Sequence, residues 1–199
     1  MATYAAIAEA SETLVELLRD RVAERSDVIS VDRSEIALVS PDDVGADSDV
    51  RLSVFLYDVT ENGTMKNQRA RGGEAGTKRQ APVVVDLRYL VTAFSSGSGG
   101  DETANTLDQQ RVLGLAMQTL HDNSRLGADE LPASLADTDI QISLEDDSTG
   151  TVNDVWSSFR ETPIQPSVSY RLSPVRIDSR TEEETEPASE WGQDYKPPG

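Results

Sequence analysis

The sequence contains no cysteine and a single histidine, His121, among its 199 residues. Disulfides, thiolate metal sites and cysteine nucleophiles are therefore excluded, as is any multi-histidine metal centre. Lysine is nearly as scarce. Lys66, Lys78 and Lys196 are the only three, and the other 15 of the 18 basic residues are arginine. Aromatics make up 5% and hydrophobic residues 37%, enough for one modest core in a chain of single-domain length. No apolar run approaches the roughly 20 residues that span a bilayer. The N-terminal stretch lacks a basic start and is interrupted by Glu9 and Glu12, so no signal peptide and no membrane segment are expected.

What the sequence has in excess is acid. Its 36 Asp and Glu residues give a formal net charge of -18. Many carboxylates, few lysines and a lean apolar content read as a protein of a high-salt cytoplasm. Dense carboxylates keep a surface hydrated there, and salt screens their repulsion within about 3 Å at 1 M. An ordinary acidic protein, or one that binds a basic partner, has the same composition. In either case surface carboxylates are weak indicators of catalysis, and the charge argues against nucleic acid as a partner.

Periodicity predicts an α+β single domain with a mostly antiparallel sheet, flanking helices and the order αβββαβαβ. The first helix covers residues 3–25, with Tyr4, Ile7, Leu14 and Leu18 on one stripe and Val15 and Val22 beside it. A short strand at 34–39 runs into the turn chemistry of Pro41, Asp42 and Asp43. Residues 50–60 form a strong strand, apolar on both faces and so expected to be central and covered on both sides. It ends at Asn62-Gly63, a turn dipeptide. A polar loop over 64–81 leads to a second strong strand at 83–94, expected to pair antiparallel with the first. A glycine-serine connector at 95–100 precedes a helix over 103–123 carrying Leu113, Ala116, Met117 and Leu120. A strand at 140–144, a short helix bearing Val152, Val155, Trp156 and Phe159, and a last strand through Val168, Tyr170 and Leu172 complete the domain. Pro174 interrupts that strand. The domain is expected over 1–178. Residues 179–199 carry two basic and six acidic residues, a net of -4, with three prolines and no aliphatic run, which argues against a packed element. Trp191 and Tyr195 are the residues able to anchor such a tail.

The chemical motifs are mostly negative. Residues 71–78 superficially suggest a phosphate loop, but the order Gly76-Thr77-Lys78 is wrong and no apolar helix follows. Asp42, Asp43, Asp47 and Asp49 lack the glycine and terminal glutamate of a calcium loop. His121 sits at a predicted helix end, where a cation suits the dipole. No Gly-x-Ser-x-Gly elbow exists, and nothing selects a carboxylate pair. No catalytic residue, cofactor or metal is therefore assigned. The informative feature is the long loop, which holds Lys66, Arg69, Arg71, Lys78 and Arg79, five of the 18 basic residues, in a chain of net charge -18. It reads either as a solvated connector or as a docking element for an acidic partner, and the local reversal of charge favours the second.

Four segments together carry a family resemblance. They are residues 52–62 (LSVFLYDVTEN) with 65–67 (MKN); 82–94 (PVVVDLRYLVTAF); 111–123 (RVLGLAMQTLHDN); and 155–159 (VWSSF) with 166–172 (PSVSYRL) and 177–179 (IDS). In order and spacing they resemble the cap, or tail-terminator, proteins of extracellular contractile injection systems of the antifeeding-prophage and virulence-cassette type. The resemblance spans residues 4–179. The acid load, the glycine-rich insert at 71–76 and the tail depart from it. It implies a structural, non-enzymatic part: a six-fold ring at the end of the tube and sheath distal to the baseplate. The implied partners are copies of itself and the sheath and inner-tube proteins, with assembly in the cytoplasm. A tail-completion protein of a tailed virus shares these mechanics, and an unrelated hydrolase or small-ligand module is the remaining reading.

The composition predicts a salt-dependent fold. A charge of -18 repels itself over a Debye length of about 30 Å at 0.01 M. The thermal midpoint is expected to rise from dilute buffer to molar KCl; equal midpoints would contradict the high-salt reading.

Overall fold

A computed structural model describes residues 4–25, 29, 31–45, 47–65, 77–96, 101–146, 150–159 and 162–184. Six strands form one sheet in the order β1-β2-β4-β7-β6-β5. They are β1 (Ile36–Leu38), β2 (Leu52–Glu61), β4 (Val83–Ala93), β5 (Arg125–Leu126), β6 (Ile140–Leu144) and β7 (Ser167–Ile177). Only β1 against β2 is parallel; the other pairs are antiparallel, as expected. A separate two-stranded ribbon joins β3 (Thr77–Arg79) to β8 (Glu182–Glu184). Helices α1 (Ala6–Ala23) and α2 (Glu102–Asp122) pack on one face of the sheet, and α3 (Thr151–Ser158) contacts β7 from the other.

The sheet faces follow from the register. Leu52, Val54 and Leu56 of β2 lie opposite Ala93, Val91 and Tyr89 of β4. Tyr89 and Leu87 in turn lie opposite Tyr170 and Leu172 of β7, which meet Leu144 and Ile142 of β6. Paired residues share a face, so this row forms an apolar floor. Against it α1 buries Ala6, Ala10, Leu14 and Leu18, with Val15 and Val22 alongside. The stripe is shifted from the sequence expectation. Helix α1 begins at Ala6, so Tyr4 precedes it and is 83% exposed, its ring under the Arg180 guanidinium at 5.6 Å. In α2 the buried positions are Gln109, Val112, Leu115, Ala116, Thr119 and Leu120, again one position away from the expected Leu113. Asp101 caps α2 by accepting from the Thr103 N–H at 3.2 Å, and the Asn123 side chain closes the far end on the Thr119 carbonyl at 2.8 Å.

Three sequence expectations change. β2 is not central: it lies second from the edge, and β4 and β7 hold the middle. The register slip between Leu56 and Asp58 sets Val59 opposite the core residue Leu87, where it is 43% exposed, so the core face is sealed at Leu52 and Val54 but not at the end of the strand. On its second face Ser53 is fully buried and the Phe55 ring meets Phe159 at 6.0 Å. Pro174 does not end β7. Asp86 of β4 faces two residues, Ser173 and Pro174, and the strand continues to Ile177. A bulge leaves one position unpaired, so a proline without an N–H is tolerated there. The Ser173 hydroxyl and the Asn62 amide both donate to Asp86 Oδ1, at 2.5 and 2.7 Å. Finally, the start of the acidic tail is structured: Glu182–Glu184 pair with the end of the basic loop as β8.

Tyr89 marks the centre of the core. It is fully buried, its hydroxyl lies 2.7 Å from Ser11 Oγ of α1, and burial pushes its pKa up to about 12. The unfolded tyrosine ionises near pH 10. A pKa raised by folding contributes stability that is complete below pH 10 and is lost as pH rises towards about 12. Tyr89→Phe is expected to flatten the fall of stability over this window while lowering neutral-pH stability by about 1 kcal/mol through the lost hydrogen bond. Urea unfolding at pH 7 and at high pH checks both, and an unchanged alkaline slope would contradict the assignment.

Candidate interface surfaces

The described residues present three surfaces. The outer face of the sheet divides in two. Near α3 it is apolar: Trp156 stacks edge-on to Phe159 at 5.5 Å and donates from Nε1 to Ser167 Oγ at 3.2 Å, while Leu90 is fully buried. Further along β4 it is ionic. Arg88 donates to Asp58 at 2.6 Å and to Glu145 at 3.2 Å. Burial pulls its pKa down, but these two carboxylates outweigh burial and hold it above the ordinary guanidinium value. Arg171 approaches Glu145 at 3.2 Å as an ion pair whose Nε is not aligned for a hydrogen bond. Beside this row, the Tyr57 hydroxyl lies 2.8 Å from Ser169 Oγ; burial raises its pKa, and the Ser169 contact only partly offsets that. Tyr57, Asp58, Arg88, Glu145 and Ser169 line an open hollow of about 420 Å³. Its cation is matched to carboxylates on β2 and just beyond the end of β6. The arrangement braces the sheet and offers no activated nucleophile or base.

The sheet edges are the second surface. β1 covers only Leu52–Val54 of the ten-residue β2, and β5 covers only Ile140 and Gln141 of β6. On β1, the Arg19 guanidinium caps the Ile36 carbonyl at 2.9 and 2.8 Å. Short or capped edges limit unwanted strand addition.

The third surface is a groove of about 900 Å³ between α1 and the residues that follow β5. Leu17, Leu126, Leu131 and Pro132 line it together with Glu12, Glu16, Asp20, Glu24, Asp129 and Glu130, and Arg21 is its one cation. Hydrogen bonding to Arg19, with Arg33 beside it, keeps the Glu16 carboxyl below its usual range.

The interface residues expected from sequence are only partly placed. Lys66, Arg69, Arg71, Trp191 and Tyr195 lie outside the described residues. Lys78 and Arg79 fall on β3, where the register sets them opposite Glu183 and Glu182. The basic loop thus meets an acidic segment of its own chain. Sequence reasoning missed the Arg88 row and the acidic groove. A signal for the first was present, since Asp86 and Arg88 occupy the polar positions of an otherwise apolar strand. Among the described residues no group of three His, Asp or Glu could hold a metal, and no helix is long and apolar enough to cross a membrane.

Comparison with known proteins places this geometry. No curated protein matches the chain. Two solved structures share its fold. One is described as the sheath/tube terminator of an extracellular contractile injection system, PVC, in its extended state. It matches at a TM-score of 0.64 and 18% identity, over 100% of this chain and 66% of that one. The other is the tube-terminating cap of the anti-feeding prophage, at a TM-score of 0.58 and 21% identity, over 89% of this chain and 57% of that one. The chain therefore spans less than two thirds of the length of either structure. At these identities the matches establish the fold, and they agree with the resemblance carried by the four sequence segments. The sequence itself matches the family described as the Pvc16 N-terminal domain over residues 9–190, and the chain belongs to that family.

Proposed function

We propose that this chain caps a contractile injection particle, forming a ring that terminates the tube and sheath at the end distal to the baseplate. The observation that carries the proposal is the family match over residues 9–190, joined to a fold shared along the whole chain with a sheath/tube terminator. The surfaces suit a structural role. The one buried guanidinium among the described residues, Arg51, donates to the Phe94 carbonyl at 3.2 Å and pairs with Asp108, which locks strand and helix ends together. The ring is six-fold on this reading, and its partners are further copies, the sheath and the inner tube. Assembly takes place in the cytoplasm. A closed ring of identical chains needs a heterologous contact, one patch meeting a different patch on the next copy. The segment beyond residue 178 is an acidic extension of the capping domain.

Deletion of the gene is expected to give tubes and sheaths of uncontrolled length or poor yield, restored by the gene in trans. Electron microscopy of purified particles measures this. Particles of normal length and number in the deletion strain would overturn terminator function. A monomeric or two-fold state inside wild-type particles would overturn the ring.

A further inference from the structure

We propose that the acidic groove beside α1 receives the basic segment 66–79 of the next copy, and that this is the head-to-tail contact closing the ring. The inference rests on the capping reading above and deepens it. The groove carries six carboxylates against Arg21, over a lining that includes Leu17 and Pro132. Four of its carboxylates already have partners. Glu16 and Asp20 are bridged by Arg33, Glu24 pairs with Arg21, and Glu130 accepts from the Gly127 N–H at 3.2 Å. Glu12 and Asp129 are exposed and have no cation among the described residues.

The segment is the complement. Residues 66–79 hold five basic side chains and one acid, Glu74, a net of +4 in a chain of net -18. No other stretch of the sequence concentrates positive charge in this way. Its last three residues, Thr77–Arg79, pair with Glu182–Glu184 of their own chain, which leaves Lys66, Arg69 and Arg71 as the cations for the groove.

The two surfaces also sit at different places on the fold. The segment is rooted where β2 ends and β4 begins: the Asn62 N–H donates to the Val84 carbonyl at 2.8 Å, and the Gln80 N–H donates to Thr181 at 3.2 Å. The groove abuts β5, at the edge of the sheet, three strand positions from β4 and about 14 Å away across a flat sheet. Two complementary patches at separate places on one chain satisfy the geometric condition for a heterologous ring. Arginines, planar and permanently charged, suit a contact that must survive high salt, because bidentate pairing with carboxylates is short-ranged.

The absence of cysteine makes the test direct. Full-length chain carrying Asp129→Cys and Ala70→Cys is expressed in place of the wild type, and particles are purified, mildly oxidised and run on a non-reducing gel. A ladder of linked chains is expected. Adding Glu12→Lys and Glu130→Lys to this background should abolish the ladder, and further adding Arg69→Glu and Arg71→Glu should restore it. Cross-links formed only within one chain would overturn the inference, as would no cross-link in particles that immunolabelling shows to carry the chain at one end. Absence of the chain from particle ends would overturn the capping reading itself, and the inference with it.

Discussion

The fold hangs on β4. Among the described strands it alone is paired along both edges over most of its length, to β2 on one side and β7 on the other, and β1, β6 and β5 reach the sheet only through those two neighbours. From Leu87 to Ala93 all but Arg88 are buried, so both its faces are committed. One face supplies Tyr89 and Val91 to the core under α1 and α2; the other supplies Leu90 to the aromatic roof of α3 and Arg88 to the ionic row. Its end is fixed by a dense set of bonds. The Phe94 N–H donates to the Arg51 carbonyl at 2.9 Å, Arg51 reaches back to Phe94, and Gln109 of α2 donates to the Ala93 carbonyl at 2.7 Å. Truncation of Leu87 or Leu90 would open a cavity against elements on either side and cost about 2–5 kcal/mol.

The arrangement of charge follows from the same core. A chain of net -18 has few cations to place, and 15 of its 18 lysines and arginines are arginine. Arg33 bridges Glu16 and Asp20, Arg88 bridges Asp58 and Glu145, and Arg51 joins Asp108 to a strand end. Each guanidinium thus serves two acceptors where one ammonium would serve them less well, because five donors in a planar fork can satisfy several oxygens at once. Exposed pairs of this kind contribute little individually, about 0–1 kcal/mol. Their value here is to relieve carboxylate repulsion where the chain must be compact, leaving the rest of the surface acidic.

Much of this was legible in the sequence, and the failures have physical causes. The alternation in 52–60 and 83–93, the helical period in α1 and α2, and the hairpin-like pairing of β2 with β4 were readable because one buried face imposes a strict period. The phase of the helices was legible only in part: Leu14, Leu18, Ala116 and Leu120 are buried as expected, whereas Tyr4 is exposed and Leu113 and Met117 are half-buried. Alanines at positions 6 and 10 bury as completely as leucines in a close helix–sheet contact, yet they score weakly as hydrophobic, and Tyr4 drew the stripe toward itself. The other strand neighbours were invisible because order in a sheet is a long-range property: Leu90 meets Ser169 across a large separation in sequence. Pro174 was readable as an interruption, but the bulge that lets the strand continue to Ile177 depends on Asp86, far away in the chain. The groove could not be found either. Its two walls, α1 and residues 126–132, are brought together only by folding. The basic loop could be seen, because five cations in an acidic chain form a local signal.

A protein that ends a polymer has to bind on one side and refuse on the other. Open sheets are poor at refusal, since any long free edge invites another strand. Here the two edge strands are three and two residues long, and the Ile36 carbonyl on β1 is already taken by Arg19. The longer stretch not paired to β1 is the later half of β2, where the register slips between Leu56 and Asp58. A bulge at that point twists the edge away from a flat template. Dense negative charge adds a second barrier, since two identical acidic faces repel unless a cationic element comes between them. On the proposed capping role, that requirement selects the contacts that form. Copies can join only where the basic segment of one meets the acidic surface of another, which allows a head-to-tail ring and disfavours stacking of like faces beyond it.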